Sequence, residues 1–538
     1  MLRLLPLFLV LFLAVAVRWT ALHEGLWLDE LHSTWAAEGD WSEVSSRARY
    51  GNQSPLYFYL LKALLSAGPT DEWWARLPSL IPCLLTVSLI YCLVLQATAS
   101  VKAAVAVSLA ATVDPKFIFY GTEARPYALV QLIAIATVVG FARCAARSSR
   151  PLRLAWIGGS IVLCYLHYTA VVIPAATLPI LFWLKVRYGR EVTYAWSEYS
   201  RDILTVIVVT APLSTHMFEI AGRRQQWTQF VTPPEGWRWL AHLDLDYWVL
   251  APLLLFATAR LCRKFCAMKF GSGQGGQSRK VAAAPSSDSA RNYVGEAAWG
   301  FTFLPVLVVY AIAATGSAPV MLYRYLIVVP PMAMLGWTVL IRHLGGLGKV
   351  FFAISLLAYC VYGMGYYSRW QREKPLLESR GESWGDVAEM VRQDRIPILL
   401  RSGYIEANGV DGIDIEDQSA ADRELVEYCL GPIHASYDFG SHRIEWPLPN
   451  ELPDYDVEPV ARLLSEQREA WIILRIPNRR KRESYDWVER LFEARGGGSY
   501  LSKNWFGRIL LLRVRFRNQS GTSSRRPAST DRSVKRIT

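Results

Sequence analysis

Residues 77–97 read LPSLIPCLLTVSLIYCLVLQA, an uninterrupted apolar stretch without a single charged side chain. A helix that crosses the hydrocarbon core of a bilayer needs about 20 mostly apolar residues, with a working range of about 17–25. This stretch has that length and composition. The same pattern recurs on both sides of it, giving spans near 4–22, 77–97, 101–119, 125–142, 154–170, 171–186, 203–220, 247–262, 297–315, 322–342 and 349–366. Only His167-Tyr168-Thr169 separates the fifth span from the sixth. The first stretch also carries the small-residue pattern Ala14-Val15-Ala16 of a signal peptide, but Arg3 alone makes a weak basic leader, so a retained anchor is the expectation.

Composition agrees with this reading. Of 538 residues, 52% are hydrophobic and 19% charged, whereas soluble chains carry about 25% charged residues. The apolar blocks fill residues 1–366, and 367–538 read as ordinary soluble sequence. The expected class is therefore a polytopic α-helical membrane protein of about 11 transmembrane helices followed by a soluble α/β domain.

Loop charges set the orientation. With the N-terminus inside, Arg143, Arg147, Arg150 and Arg153 are cytoplasmic, as are Lys185, Arg187, Arg190, Arg260, Arg263, Lys264, Lys269, Arg342 and Lys349. The alternate loops hold fewer Lys and Arg per residue, which is the positive-inside pattern. An odd number of spans then places the C-terminal domain outside. The same distribution accounts for much of the net charge of +12, the rest lying in the last twenty residues, and argues against nucleic acid as a partner. The eight cysteines define no disulfide framework; Cys262 and Cys266 share a helical spacing without further zinc ligands.

The domain organisation expected is a membrane part at 1–366 with an external loop at 23–76, a Gly/Ser-rich cytoplasmic insert at 271–290, an extracytoplasmic domain at 367–516 and a basic disordered tail at 517–538. Within the soluble domain, 382–393 and 484–495 read as helices, and 396–401, 471–476 and 508–516 as strands.

Polar side chains near hydrocarbon depth are costly and tend to line cavities. Five clusters stand near the outer ends of spans: Leu26-Trp27-Leu28-Asp29-Glu30, Asn52-Gln53-Ser54-Pro55-Leu56-Tyr57 with Lys62 following, Glu123-Ala124-Arg125-Pro126-Tyr127, His167-Tyr168, and Tyr323-Arg324-Tyr325. Each has a structural reading. Asp29 and Glu30 suit the first turn of a surface helix, Arg125 and Arg324 suit interfacial anchoring, and a lone His is most often a hydrogen-bonding core residue. If helical, Asp29 and Glu30 point in different directions, so one can face a reaction centre while the other packs against a basic group. Carboxylates and several arginines on one side of the membrane also suit a nucleophile and an anionic leaving group.

In this order, the clusters resemble the motifs of the GT-C superfamily of membrane glycosyltransferases, in the branch of protein O-mannosyltransferases and lipid A aminoarabinose transferases. Leu28-Asp29-Glu30 is similar to the acidic motif of the first external loop, and Ser54-Pro55-Leu56-Tyr57 to the Pro-Leu-Tyr segment. Ala124-Arg125-Pro126-Tyr127-Ala128-Leu129 is similar to the Arg-x-Tyr-Ala-Leu segment, and Arg324-Tyr325-Leu326 to the late Arg-Tyr motif. The resemblance covers residues 1–366. Where members often carry a basic residue before the Pro of the second motif, this chain has Gln53-Ser54, leaving Lys62 or Arg49 to substitute.

The resemblance implies a GT-C fold, a bacterial plasma-membrane location, and transfer of a sugar from a polyprenyl-phosphate carrier to an acceptor on a protein, lipid or glycan. Asp29 is then the candidate general base, with Glu30 in support. Arg125, Arg324, Tyr127, Tyr325 and Lys62 are candidates for the carrier phosphate. Glu123 and His167 offer two ligands for a divalent cation, too few to define a metal site. The competing class is a transporter or flippase of lipid-linked sugar intermediates. The repeated halves with broken midplane helices that often mark transporters are not evident here, and the external loop at 23–76 is long for one.

Overall fold

The computed structural model describes residues 3–69, 71–223, 288–315 and 322–517, apart from 373, 376, 378, 416, 443 and 477–480, together with isolated positions between 253 and 261. Almost all of the expected span at 247–262, most of the insert at 271–290, Cys262, Cys266 and the tail from 518 lie outside the described residues. The chain divides into two units, one of Met1–Glu24 with Asp29–Arg380, the other of Gly25–Leu28 with Gly381–Thr538.

The first unit is helical. Among the described residues, Leu77–Thr98, Tyr127–Ala146, Tyr168–Glu191 and Tyr293–Ala314 are long and apolar enough to cross a membrane, and the number rises to six if each of two bent pairs is one span. The chain is a multi-pass membrane protein. Tyr127–Ala146 is the most buried of the four and packs against Leu77–Thr98, Arg150–Leu166 and Asp288–Ala314. Small residues permit the close approach of helices that lack a hydrophobic drive to associate. Gly159 is the clearest case, since a Cβ there would lie 2.1 Å from Thr137 Oγ1 on the central helix.

Proline explains the bends. The expected span at 101–119 is broken into Val101–Val113 and Pro115–Gly121, inclined by 65°. Asp114 caps the second piece, its Oδ1 accepting from the Phe117 N–H at 2.7 Å, and Pro115 takes the first helical position, where its missing N–H costs nothing. The break brings the chain to Glu123-Ala124-Arg125 in a short buried loop. The expected span at 203–220 is likewise bent, by 64°, between Trp196–Thr210 and Leu213–Ile220, around Pro212. Between the fifth and sixth expected spans, His167 stands at the junction of Arg150–Leu166 and a short 3-10 turn, Tyr168–Val171.

The second unit holds a five-stranded sheet in the order β2-β1-β3-β5-β4. The strands are β1 (Ile398–Arg401), β2 (Glu445–Pro447), β3 (Glu469–Arg475), β4 (Gly498–Phe506) and β5 (Ile509–Phe516). β1 runs parallel to β2 and β3, while β5 is antiparallel to β3 and β4. The expected strands are β1, β3 and β5, and the expected helices are Trp384–Val391 and Lys481–Ala494. Edge strands β2 and β4 and the helix Ala420–His434 are additional. The β4–β5 turn requires Gly507, which has φ +63° and would place a Cβ 2.1 Å from the Gly381 carbonyl. Residues 25–28 belong to this unit: the Leu26 N–H donates to Tyr437 Oη at 2.9 Å and the Leu28 N–H to the Glu382 carboxylate at 3.2 Å.

Ile472 sits at the centre of β3, fully buried. Truncating such a side chain costs about 2–5 kcal/mol. Ile472→Ala should therefore make the C-terminal unit cleave faster in limited proteolysis of the whole protein, while the helical unit resists as before; unchanged cleavage would show that β3 is not the core strand.

Candidate active site

The helix Leu28–Ala37 begins with the two acidic residues. Successive helical positions are about 100° apart around the axis, and here the two carboxylates take different partners.

Glu30 points inward and is fully buried. Its two oxygens accept a bidentate pair from Arg76, Nε at 2.8 Å and Nη2 at 2.6 Å, and Oε1 also accepts the Ala124 N–H at 2.8 Å. Arg380 adds a more distant charge, Nε to Oε2 at 3.8 Å. Burial by itself would raise the Glu30 carboxyl; the two arginines and the hydrogen bonds from Arg76 and Ala124 outweigh it and hold the group below the ordinary carboxylate range. Arg76 uses its remaining nitrogen to bind the carbonyls of Ala21 and Leu22 at 3.1 and 2.9 Å. Arg380 binds the Thr122 carbonyl at 2.7 Å.

Asp29 points the other way and is partly exposed. Its Oδ2 lies 3.4 Å from Arg324 Nη1 and 3.7 Å from Arg125 Nη2. Arg125 is almost fully buried and also donates from Nη1 to the Asp29 carbonyl at 3.3 Å. Its own carbonyl accepts from Ser79 Oγ at 2.9 Å, and that hydroxyl lies 3.4 Å from Tyr57 Oη. The Tyr of the Pro-Leu-Tyr segment thus reaches the backbone of Arg125 through Ser79.

An aromatic wall flanks the arginines. Arg125 lies over the Tyr127 ring and Arg324 over the Tyr325 ring, each guanidinium carbon 5.7 Å from the centroid. Tyr120 packs edge-on against Tyr127 at 4.9 Å and stacks on Tyr323 at 6.0 Å. The Lys116 ammonium sits 3.5 Å above the Tyr323 centroid. Such rings favour cations over their faces and other planar groups against them.

Asp29, Arg125, Arg324, Tyr127 and Tyr325 come together. Glu123 joins them, with its Oε2 buried and without a hydrogen-bond partner. Burial pushes its carboxyl up to about 8; Arg125 opposes this, while Asp29 and Glu30 reinforce it. His32, one turn along from Asp29, is pushed down to about 4, first by burial and then by the Arg125 charge, so at neutral pH it is uncharged. His167 stands behind the aromatic wall, 5.6 Å from the Tyr127 ring and 6.3 Å from Tyr325, with Nδ1 2.7 Å from Thr169 Oγ1. Among the described residues no three His, Cys, Asp or Glu side chains converge as a metal site.

Lys62 stands apart. Its ammonium caps the far end of the Leu28–Ala37 helix, donating to the carbonyls of Ala37, Glu38 and Gly39. That end is about 13 Å along the axis from Asp29. The reason is local: a cation satisfies the orphan carbonyls at a helix C-terminus.

Sequence reasoning missed Arg76, Lys116, Tyr120 and Arg380. Lys116 could have been found, since a charge inside an expected span asks for an explanation. Arg76 and Arg380 meet Glu30 from distant positions and carry no local signal.

These elements define a class, a polytopic α-helical membrane protein with an acidic and arginine-rich centre and a C-terminal sheet domain. The backbone is similar to that of ArnT from Cupriavidus metallidurans bound to undecaprenyl phosphate, with a TM-score of 0.52 at 13% identity, over 94% of this chain and 97% of that one. Looser likenesses, each with a TM-score of 0.42, are to the apo state of the same ArnT and to the apo oligosaccharyltransferase of Archaeoglobus fulgidus. The former is 13% identical over 94% of this chain and 97% of that one, the latter 10% identical over 91% and 71%. No protein-family model and no curated protein sequence matches the chain.

The raised value at Glu123 has a sign. Between pH 4.5 and 8 the folded protein keeps a proton that the unfolded chain has lost, so this group's contribution to stability falls as pH rises through that window and is constant above it. Thermal unfolding of the wild type and Glu123→Gln across the same window should show the wild type losing ground to the variant as pH rises. Parallel curves would mean that Glu123 is ionised in the folded protein.

Proposed function

We propose that this chain is a glycosyltransferase that moves a sugar from a polyprenyl-phosphate carrier to an acceptor hydroxyl, with inversion at the anomeric carbon. The observation that carries this reading is the single carboxylate Asp29 facing two arginines, at 3.4 and 3.7 Å. The fold likeness to ArnT bound to undecaprenyl phosphate supports it.

In this reading Asp29 takes the proton of the acceptor hydroxyl as its oxygen attacks the anomeric carbon. The bond between that carbon and the phosphate oxygen breaks, and its electron pair leaves with the lipid phosphate. A phosphate is a weak base and needs little protonation, but it gains charge as it leaves. Arg125 and Arg324 bind that charge through planar guanidinium forks, and Tyr127 and Tyr325 back them. Glu30 does not touch the reactants; it holds the helix so that Asp29 faces the arginines. Glu123, held neutral beside them, leaves the Arg125 charge uncompensated and available to the phosphate. Lys62 has a helix-capping role instead.

The same reading takes the chain to have about eleven spans, counting segments outside the described residues. The domains are then a catalytic membrane part at 1–366, an insert at 271–290, an outer α/β domain at 367–516 and a tail at 517–538. In this reading Asp29 and the C-terminal domain lie on the outer face, as the loop charges favour, and the membrane is the bacterial plasma membrane that the family resemblance implies. The acceptor is a protein, lipid or glycan that reaches this face.

Purified protein supplied with polyprenyl-phosphate sugars and candidate acceptors tests the assignment. Asp29→Asn should lower transfer by about 10²–10⁴ with carrier binding retained, and the product should have the inverted anomeric configuration. Arg324→Ala should weaken use of the carrier more than use of the acceptor. Undiminished transfer by the Asp29 variant would overturn the mechanism.

A further inference from the structure

The central helix Tyr127–Ala146 carries basic residues at both ends. Arg125 precedes it on the side of Asp29, and Arg143 and Arg147 follow at its last turn and C-cap. Twenty helical residues span about 30 Å, so these two basic sites are separated by about the thickness of a bilayer core. A cavity of about 380 Å³ opens beside the second pair. Its apolar walls come from Leu93, Leu152, Val294 and Leu335, on four different helices, and Gln96 completes the polar end with the two arginines.

Among the described residues no carboxylate lines this cavity. Arg143 donates to the neutral Gln96 Oε1 at 3.1 Å, and among the described residues neither Arg143 nor Arg147 makes an ion pair. This is not for lack of acids on the face. Glu198 and Asp202 lie nearby, and both are taken by Arg153, at 3.2 and 2.5 Å. The sequence thus pairs the arginine outside the cavity and leaves two positive charges at the mouth of an apolar pocket between membrane helices. Positive-inside placement alone would account for the arginines, but not for an apolar pocket behind them that is free of acidic groups. A molecule that complements both parts has an anionic phosphate next to a hydrocarbon chain.

We propose that this cavity is a second lipid-phosphate site, opposite the Asp29 centre, and that its occupant is an anionic phospholipid of the bilayer. The headgroup phosphate meets Arg143 and Arg147, and one acyl chain lies against Leu93, Leu152, Val294 and Leu335. The site stands whether or not the chain is a glycosyltransferase, because it shares no residue with the Asp29 cluster.

Native mass spectrometry of delipidated full-length protein, titrated with phosphatidylglycerol, phosphatidylcholine or inorganic phosphate, tests this. The wild type should retain phosphatidylglycerol in preference to phosphatidylcholine. The double variant Arg143→Ala/Arg147→Ala should lower phosphatidylglycerol affinity by about tenfold or more, as two basic side chains at a lipid surface imply. Arg150→Ala, which removes an exposed charge from the same face but outside the cavity, should leave it unchanged. Leu152→Trp, which fills the apolar wall and keeps both arginines, should reduce lipid binding too. Equal retention of the two lipids would overturn the proposal. So would an equal loss from Arg150→Ala, which would mean diffuse surface attraction, or displacement of the lipid by inorganic phosphate at matched concentration, which would mean a simple anion site.

Discussion

The geometry of the acidic centre depends on the buried pair between Glu30 and Arg76. Both side chains are fully withdrawn from solvent, and desolvating two charges is expensive unless every donor and acceptor is satisfied. Here the carboxylate has two Arg76 nitrogens, the Ala124 N–H and the charge of Arg380. Removing one member of such a pair costs about 3–5 kcal/mol, because the other is left buried and uncompensated. The pair therefore acts as a geometric constraint. It fixes the start of the Leu28–Ala37 helix against the N-cap of Leu77–Thr98 and the loop that leads into Tyr127–Ala146. With Glu30 locked inward, helical geometry directs Asp29 elsewhere, toward Arg125 and Arg324.

This division of labour explains which parts were legible in the sequence. Length and hydropathy located the apolar segments that the structure also has, Leu77–Thr98, Tyr127–Ala146, Tyr168–Glu191 and Tyr293–Ala314. The bends at Asp114-Pro115 and around Pro212 carried a local signal, proline, but an apolar window averages over it. Asp29, Arg125 and Arg324 were legible because each sits in a short polar interruption beside an apolar run. Arg76 and Arg380 were not. Arg76 looks like any basic residue flanking a span, and its partner is 46 positions away. Lys62 shows the reverse case: a lysine after the Pro-Leu-Tyr segment suggests phosphate, and in the structure its ammonium donates to three carbonyls at the end of the Leu28–Ala37 helix.

The soluble unit follows the same logic. β1, β3 and β5 are short apolar runs whose buried faces announce them, and Leu399, Ile472, Leu474, Leu510 and Leu512 form their common core. β4 reads GSYLSKNWF, and its residues alternate between half-buried and exposed as an edge strand's should. Its pairing with β5 is what makes it a strand, and nothing in its composition demands one. The helix Ala420–His434 does carry a legible start, since Ser419 and Asp422 form a reciprocal capping box.

The charge balance of the centre bears on chemistry as well as on stability. Four arginines, Arg76, Arg125, Arg324 and Arg380, surround three carboxyls, and burial keeps one of these, Glu123, protonated up to about pH 8. Glu24, 3.7 Å from Arg380, offsets a further charge, so at neutral pH the cluster keeps one positive charge in excess, on the side where Arg125 and Arg324 flank Asp29. A sugar-phosphate diester carries one negative charge, and the lipid phosphate monoester released from it carries more as its second ionisation proceeds. In the proposed reaction, a site with surplus positive charge would bind the departing phosphate better than the intact donor, so its binding energy would appear where the bond is breaking. Were Glu123 ionised, that surplus would shrink just where the charge develops. In that reaction Glu123, whose buried Oε2 has no hydrogen-bond partner, would be the group whose neutrality leaves the arginine charge for the phosphate.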